Sequence, residues 1–163
     1  VETFLAIASK RDVREYAGTP VPEDVRTWIL DAGRLAGSSR NTQRWEFVVV
    51  GGDAQQRLAE TVYAPENVRE APLVVAIVGE AGGFDTGRCA TNMMLAAWEQ
   101  GVVSCPNGIR EADAAAAICG GDVRAILSFG YPAKPRDVEA RTAEEWSAAA
   151  NRKPLDELVR EVD

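Results

Sequence analysis

Apolar positions along the chain fall into two patterns, stripes at helical spacing and short runs that are apolar throughout, and together they set out most of its elements. Near the amino end Phe4, Leu5, Ile7 and Ala8 predict a short packed helix that delivers Lys10-Arg11-Asp12-Val13-Arg14. Pro22 falls where the first turn of a helix tolerates proline, and Val25, Trp28, Ile29, Ala32, Leu35 and Ala36 form one apolar face over about Pro22 to Ala36. Trp45 to Val50 reads as a strand whose consecutive valines suit an interior place in a sheet. Gly51-Gly52-Asp53 closes it, with Asp53 capping a helix through about Val62. Ala64 to Ala71 is irregular, and Leu73 to Val78 is a second, wholly apolar strand. A six-residue connection, Glu80 to Asp85, leads to a long helix capped by Asp85 or Thr86, carrying Ala90, Met93, Met94, Ala97 and Trp98, and ended by Gly101. Glu111 to Cys119 predicts an alanine-rich helix, Val123 to Gly130 a third strand, and Thr142 to Ala150 a helix in which Trp146 needs a covering surface.

Three or four clear strands interleaved with helices over 163 residues describe one layered sheet-and-helix domain, and 46% hydrophobic content is enough to give it a core. The pattern does not decide whether the strands run parallel. Val102 to Gly108 is punctuated by Pro106 and Gly108, a combination that can aim neighbouring backbone amides at a flat ligand.

Composition changes the picture chiefly by what it removes. The chain has no histidine, which excludes Ser-His-Asp and Cys-His nucleophiles, the HExxH metal site and a histidine general base. Cys89, Cys105 and Cys119 are odd in number and form no CxxC pair, so zinc and a disulfide framework are both disfavoured and Cys105 reads as a small buried thiol. A net charge of −7 argues against a nucleic-acid or anionic-membrane partner. No signal-peptide pattern and no membrane-length apolar run appear, so the expectation is a soluble cytoplasmic protein. An enzyme of this composition would take its reactive atom from a bound cofactor.

Two features then stand out. Gly37-Ser38-Ser39-Arg40-Asn41-Thr42-Gln43-Arg44-Trp45 gathers small and amide side chains between a predicted helix and a predicted strand, which suits an anionic or heteroaromatic ligand; a loop satisfying its own backbone is the simpler alternative. Lys10, Arg11 and Arg14 concentrate positive charge in an otherwise acidic chain, and Arg152-Lys153 is a second basic pair that can complete one anion site. There is no Walker sequence and no GxGxxG.

Taken in order, Lys10 to Tyr16, Pro20-Val21-Pro22, Ser38 to Val50, Ala71-Pro72, Asn92 to Ala97, Gly101 to Gly108, Gly130-Tyr131-Pro132 and Arg152 to Leu155 resemble the flavin-dependent nitroreductase family in one of its short forms. The resemblance implies an α+β helix-sheet-helix fold and a homodimer with FMN at the interface, the carboxyl-terminal segments exchanging between subunits. It implies that Lys10, Arg11, Asp12 and Arg14 form the first part of the phosphate and flavin-edge site, with Arg152 and Lys153 as its carboxyl-terminal partner. Ser38, Ser39 and Asn41 would meet the flavin from the other direction, and the backbone of Pro106, Asn107 and Gly108 would face its ring. Asp12 departs from the serine usual in the family, and Gly37 and Arg44 replace prolines. The implied activity is reduction of nitroaromatics, quinones or related conjugated electrophiles by NADPH or NADH, by ping-pong hydride transfer and without a metal. A flavin-fragmenting or deazaflavin-using enzyme, or a flavin-storing protein, are the alternatives.

Overall fold

The wholly apolar run Leu73–Val78 becomes an interior strand of a four-stranded antiparallel sheet. In the computed structural model, which describes residues 2–162, the strands are β1 (Glu46–Val50), β2 (Leu73–Val78), β3 (Val103–Asn107) and β4 (Val123–Gly130), in the order β1-β2-β4-β3. Every residue of β2 is buried. Its side chains alternate between two apolar layers, Val75 and Ile77 with Ile29, Met93, Leu127 and Phe129 on one face, Val74 and Ala76 with Leu58, Val62, Val68 and Ile126 on the other. The result is a layered helix-sheet-helix arrangement.

One strand expectation is corrected. β1 lies at an edge, paired only with β2 from Glu46↔Val78 to Val50↔Val74, and not in the interior. Phe47 joins one apolar layer and Val48 and Val50 the other, while Val49 is exposed. Consecutive apolar residues report covered faces rather than the number of neighbouring strands. β3, the fourth strand, carries Pro106. At the opposite edge of the sheet a residue without an N–H is tolerated, and β3 pairs with β4 from Val103↔Gly130 to Asn107↔Ile126.

Helices α2 (Glu23–Arg34) and α5 (Gly83–Glu99) pack together on one face of the sheet. Gly33 permits their approach, since a Cβ there would lie 2.3 Å from Met93 Cε. On the apolar face expected of α2, Ile29 is buried but Trp28 and Leu35 are exposed. Pro22 is the cap of α2 and stands outside its first turn. The other layer holds α3 (Gly52–Ala59), α4 (Pro65–Arg69) and α6 (Ala112–Cys119). Gly51 caps α3 without a side-chain bond, so Asp53 lies inside the first turn, and the helix stops before Val62. In the stretch that lacked a pattern, Pro65 starts α4. Gln55 Nε2 ties its end down by donating to the Val68 and Ala71 carbonyls (2.8 and 2.9 Å). Gly82, not Asp85 or Thr86, caps α5; Asp85 sits in the first turn, where the helix dipole favours a negative charge. The connection from β2 to α5 is therefore shorter than six residues, running over 79–82.

By contacts the chain divides into Arg11–Pro135, which holds all of these elements, and a smaller unit from residues 1–10 and 136–163. The smaller unit contains α1 (Thr3–Ser9), α7 (Ala143–Ala148) and a 3-10 turn at Leu155–Glu157. Helix α1 packs against α7 and buries Ala6 and Ser9, but Phe4 and Ile7, expected inside, are exposed. Trp146 finds its cover within this unit: its indole N–H donates to the Val138 carbonyl (2.9 Å), and the Arg141 guanidinium lies 5.0 Å over its ring. Thr142 and Glu145 form a reciprocal cap on α7. Residues 151–162 are exposed throughout. Among the described residues no helix is long and apolar enough to cross a membrane.

Candidate functional site

The segment after Lys10 is stitched along β3 and the exit of β4. The Val13 N–H donates to the Ser104 carbonyl (3.0 Å), Asp12 bridges to Ser104, Ala17 donates to the Tyr131 carbonyl (2.9 Å), and Ala133 donates to the Glu15 carbonyl (3.1 Å). Val13 is buried as the anchor, which leaves Arg11 half-buried and Asp12 and Arg14 exposed beside the β3 edge. The fold thus brings Arg11, Asp12 and Arg14 to the same sheet edge as Pro106, Asn107 and Gly108.

At that edge Asn107 turns its side chain inward. Its Nδ2 is within reach of the Cys105 carbonyl (3.1 Å), Ser128 Oγ (3.1 Å) and the Ile126 carbonyl (3.3 Å), so two hydrogens serve three acceptors. Ser128 Oγ donates to the Cys105 carbonyl (3.2 Å) and accepts from Tyr16 Oη (2.8 Å). Burial, partly offset by that bond to Ser128, pushes the Tyr16 hydroxyl up to about 12. Asn107 Oδ1 and Ser104 Oγ are buried without a hydrogen-bond partner. With the Asn107 amide committed to the sheet, exposed Pro106 and Gly108 form the outer surface of this edge. Gly108 is closely approached by Tyr63, whose ring would lie 3.1 Å from a Cβ there. All three cysteines are buried and none is in a disulfide.

The polar loop leads into β1, the other edge. Ser38 accepts the Gln43 N–H on its hydroxyl (2.9 Å), Asn41 donates to the Ser38 carbonyl (3.0 Å), and Gln43 Nε2 donates to the Asn41 carbonyl (3.2 Å). Ser38 is therefore spent on the loop's own backbone, while Ser39 and Asn41 are exposed. Arg40, Asn41 and Gln43 all have positive φ (53°, 55° and 47°), a concentration of strain worth on the order of 1–3 kcal/mol per residue. Arg44 faces solvent and pairs with Glu80 at 3.8 Å.

The larger unit therefore carries its predicted site residues in two groups, at β3 and before β1, on edges separated by three strand spacings, about 14 Å. Lys10, Arg152 and Lys153 belong to the smaller unit, where the Lys10 N–H closes α1 on the Ala6 carbonyl (3.0 Å) and Arg152 Nη1 donates to the Ala150 carbonyl (3.1 Å). Among the described residues no cluster of acidic, cysteine or histidine side chains would hold a metal.

Sequence reasoning passed over Phe84 and Arg88. They lie one turn apart near the start of α5, the Arg88 guanidinium 5.5 Å from the Phe84 ring, beside a groove of about 510 Å³ that also touches Leu35 and Gly37. Their spacing of four on a helix was the available signal.

The nitroreductase family model matches residues 7–83 and 80–131, and the chain belongs to the nitroreductase family. A relative from Thermus thermophilus, an NADH dehydrogenase, is 37% identical over 76 residues, covering 46% of this chain and 37% of its own. The chain spans between 23% and 62% of the length of the curated relatives it matches. A nitroreductase family protein of Clostridium difficile superposes with a TM-score of 0.83 at 21% identity over 98% of both chains. A structure from Desulfovibrio desulfuricans in complex with FMN gives 0.80 at 23% identity, over 100% of this chain and 98% of that one. These structures establish the α+β fold.

Proposed function

We propose that the chain works as a single FMN-binding domain in a homodimer, passing electrons from NADPH or NADH to nitroaromatics, quinones or related conjugated electrophiles. The observation that carries the reading is the separation of the predicted binding groups onto opposite edges of one sheet. One chain offers each flavin half a site, and a two-fold pairing that sets the β3 edge of one subunit against the polar loop of its partner completes two sites at once. The residues present fit the cofactor. Asn107 is retracted into the sheet, so Pro106 and Gly108 offer a backbone surface to a flat ring, and the strained loop exposes Ser39 and Asn41.

Bound FMN supplies the hydride chemistry that no side chain here can perform. Arg11 and Arg14 neutralise its phosphate, and Asp12 orients the neighbouring guanidiniums. The short connection over residues 79–82 leaves no lid from that segment, so reductant and oxidant take turns at one open face, which gives ping-pong kinetics. Four exposed apolar residues, Leu155, Leu158, Val159 and Val162, support exchange of the carboxyl-terminal segment between subunits.

The test is a visible spectrum after FMN addition and desalting, followed anaerobically by NADPH and by NADH. Retained yellow colour that bleaches with a reductant is expected, and failure to retain FMN overturns the reading. Arg14→Ala should weaken FMN binding by about 1.5–3 kcal/mol, the worth of a charged hydrogen bond.

A further inference from the structure

We propose that the groove between the end of α2 and the start of α5 is a subsite for the carboxylate of an aromatic electron acceptor, with Arg88 as the group that recognises it. This rests on the oxidoreductase reading and narrows its substrate class to aromatic acids. The groove opens at Gly37, next to Ser38 of the polar loop, so a ligand in it adjoins the proposed flavin site.

Arg88 is held and yet available. Its guanidinium lies 5.5 Å over the Phe84 ring, a favourable cation–ring contact. Its carboxylate neighbour, Asp85, stands at 3.9 Å, beyond hydrogen-bond length, and the Arg88 side chain is 44% exposed. A ligand carboxylate that accepts two parallel N–H bonds makes a stronger pair than this loose contact. Gly37 is part of the same device: a Cβ there would sit 2.4 Å from Arg88 Nη2, so the guanidinium occupies its position only because residue 37 has no side chain. That gives a physical reason for glycine where the family resemblance leads one to expect proline.

The rest of the groove suits an aromatic ring. Leu35 and Phe84, 65% and 79% exposed, are apolar walls with no cover among the described residues. Gly83 and Gly87 lie one turn apart on α5 with open space where side chains would stand. Glycine in a helix is worse than alanine by roughly 1 kcal/mol, and here it leaves a flat floor beside the Phe84 ring. In a chain of net charge −7, a guanidinium set among apolar surfaces selects for an anion that the protein as a whole repels.

The experiment compares 4-nitrobenzoate with its neutral isostere 4-nitrobenzamide, by NMR titration of the protein with and without FMN and by KM under NADH and NADPH. The wild type should bind the acid about tenfold or more tightly than the amide, with shifts centred on Phe84, Arg88 and Leu35. Arg88→Gln should abolish the preference, Arg88→Lys recover part of it, and Gly37→Ala reduce it with the charge intact, all with FMN retention unchanged. Equal binding of acid and amide by the wild type overturns the subsite. So does an Arg88→Gln effect confined to the KM for NADPH, which would assign the cation to a dinucleotide phosphate. Because the titration without FMN reads the groove directly, loss of the flavin reading would leave this result standing on its own.

Discussion

Tyr16 links the basic segment to the sheet through one hydroxyl, and its titration is a local probe of that link. It donates to Ser128, which also accepts from Asn107 and donates to the Cys105 carbonyl, so the hydroxyl of Ser128 is fully used. Burial raises Tyr16 from 10.0 to about 12 in the folded chain. Unfolded, the phenol ionises as pH passes 10; folded, it keeps its proton, so between these values the native state binds more protons and stability falls as pH rises. The contribution is fully present below pH 10 and lost progressively toward pH 12, at a slope approaching 1.4 kcal/mol per pH unit. Chemical denaturation from pH 9 to 12 should show a drop that Tyr16→Phe largely removes. Tyr16→Phe itself should cost about 0.5–1.5 kcal/mol at pH 7, because Ser128 keeps its other partners. At this scale the sequence revealed residue types but not commitments. Ser38 and Asn107 were legible as polar groups at a site, yet Ser38 caps its own loop and the Asn107 amide is spent inside the sheet.

Among the elements, the pairing of α2 with α5 depends on a missing side chain. Gly33 lies where a Cβ would be 2.3 Å from Met93 Cε and 2.9 Å from its Cγ, with the Phe47 ring at 3.0 Å. Met93 is fully buried, so its flexible end has little room to retreat. Gly33→Ala should therefore destabilise by about 1–3 kcal/mol through overpacking, although alanine is the better helix former. In a Met93→Ala background the same change should cost much less, and a thermal-melt double-mutant cycle would measure the difference; additive effects would mean that the helices part instead of repacking. This contact was legible, since Gly33 and the methionines both signalled close packing. The sheet edges were not. Phe47 and Val48 imply covered faces wherever the strand lies, and Pro106 hides a strand only if its edge position is unknown. Strand order is a long-range property, and local periodicity does not contain it.

For the whole molecule the unsettled surface is the segment after Lys153. Leu155, Leu158, Val159 and Val162 are between 57% and 79% exposed, and among the described residues nothing in the chain covers them. Burying one such side chain is worth about 1.5–3 kcal/mol, so four left in water are a strong drive toward a second surface. If that surface is the partner subunit, folding of Arg11–Pro135 does not need the segment, whereas dimerisation and FMN retention do. Ending the chain after Lys153, or replacing Leu155 and Leu158 with Asp, should leave the far-ultraviolet circular dichroism close to native. Sedimentation should then report a monomer, and the flavin should be lost on desalting even though Arg152 and Lys153 remain. A truncated chain that stays dimeric and yellow would show that the dimer is held by other surfaces and that the exchange is not needed. A truncated chain that unfolds would instead mean that the exposed segment stabilises its own subunit, a result that the burial pattern argues against.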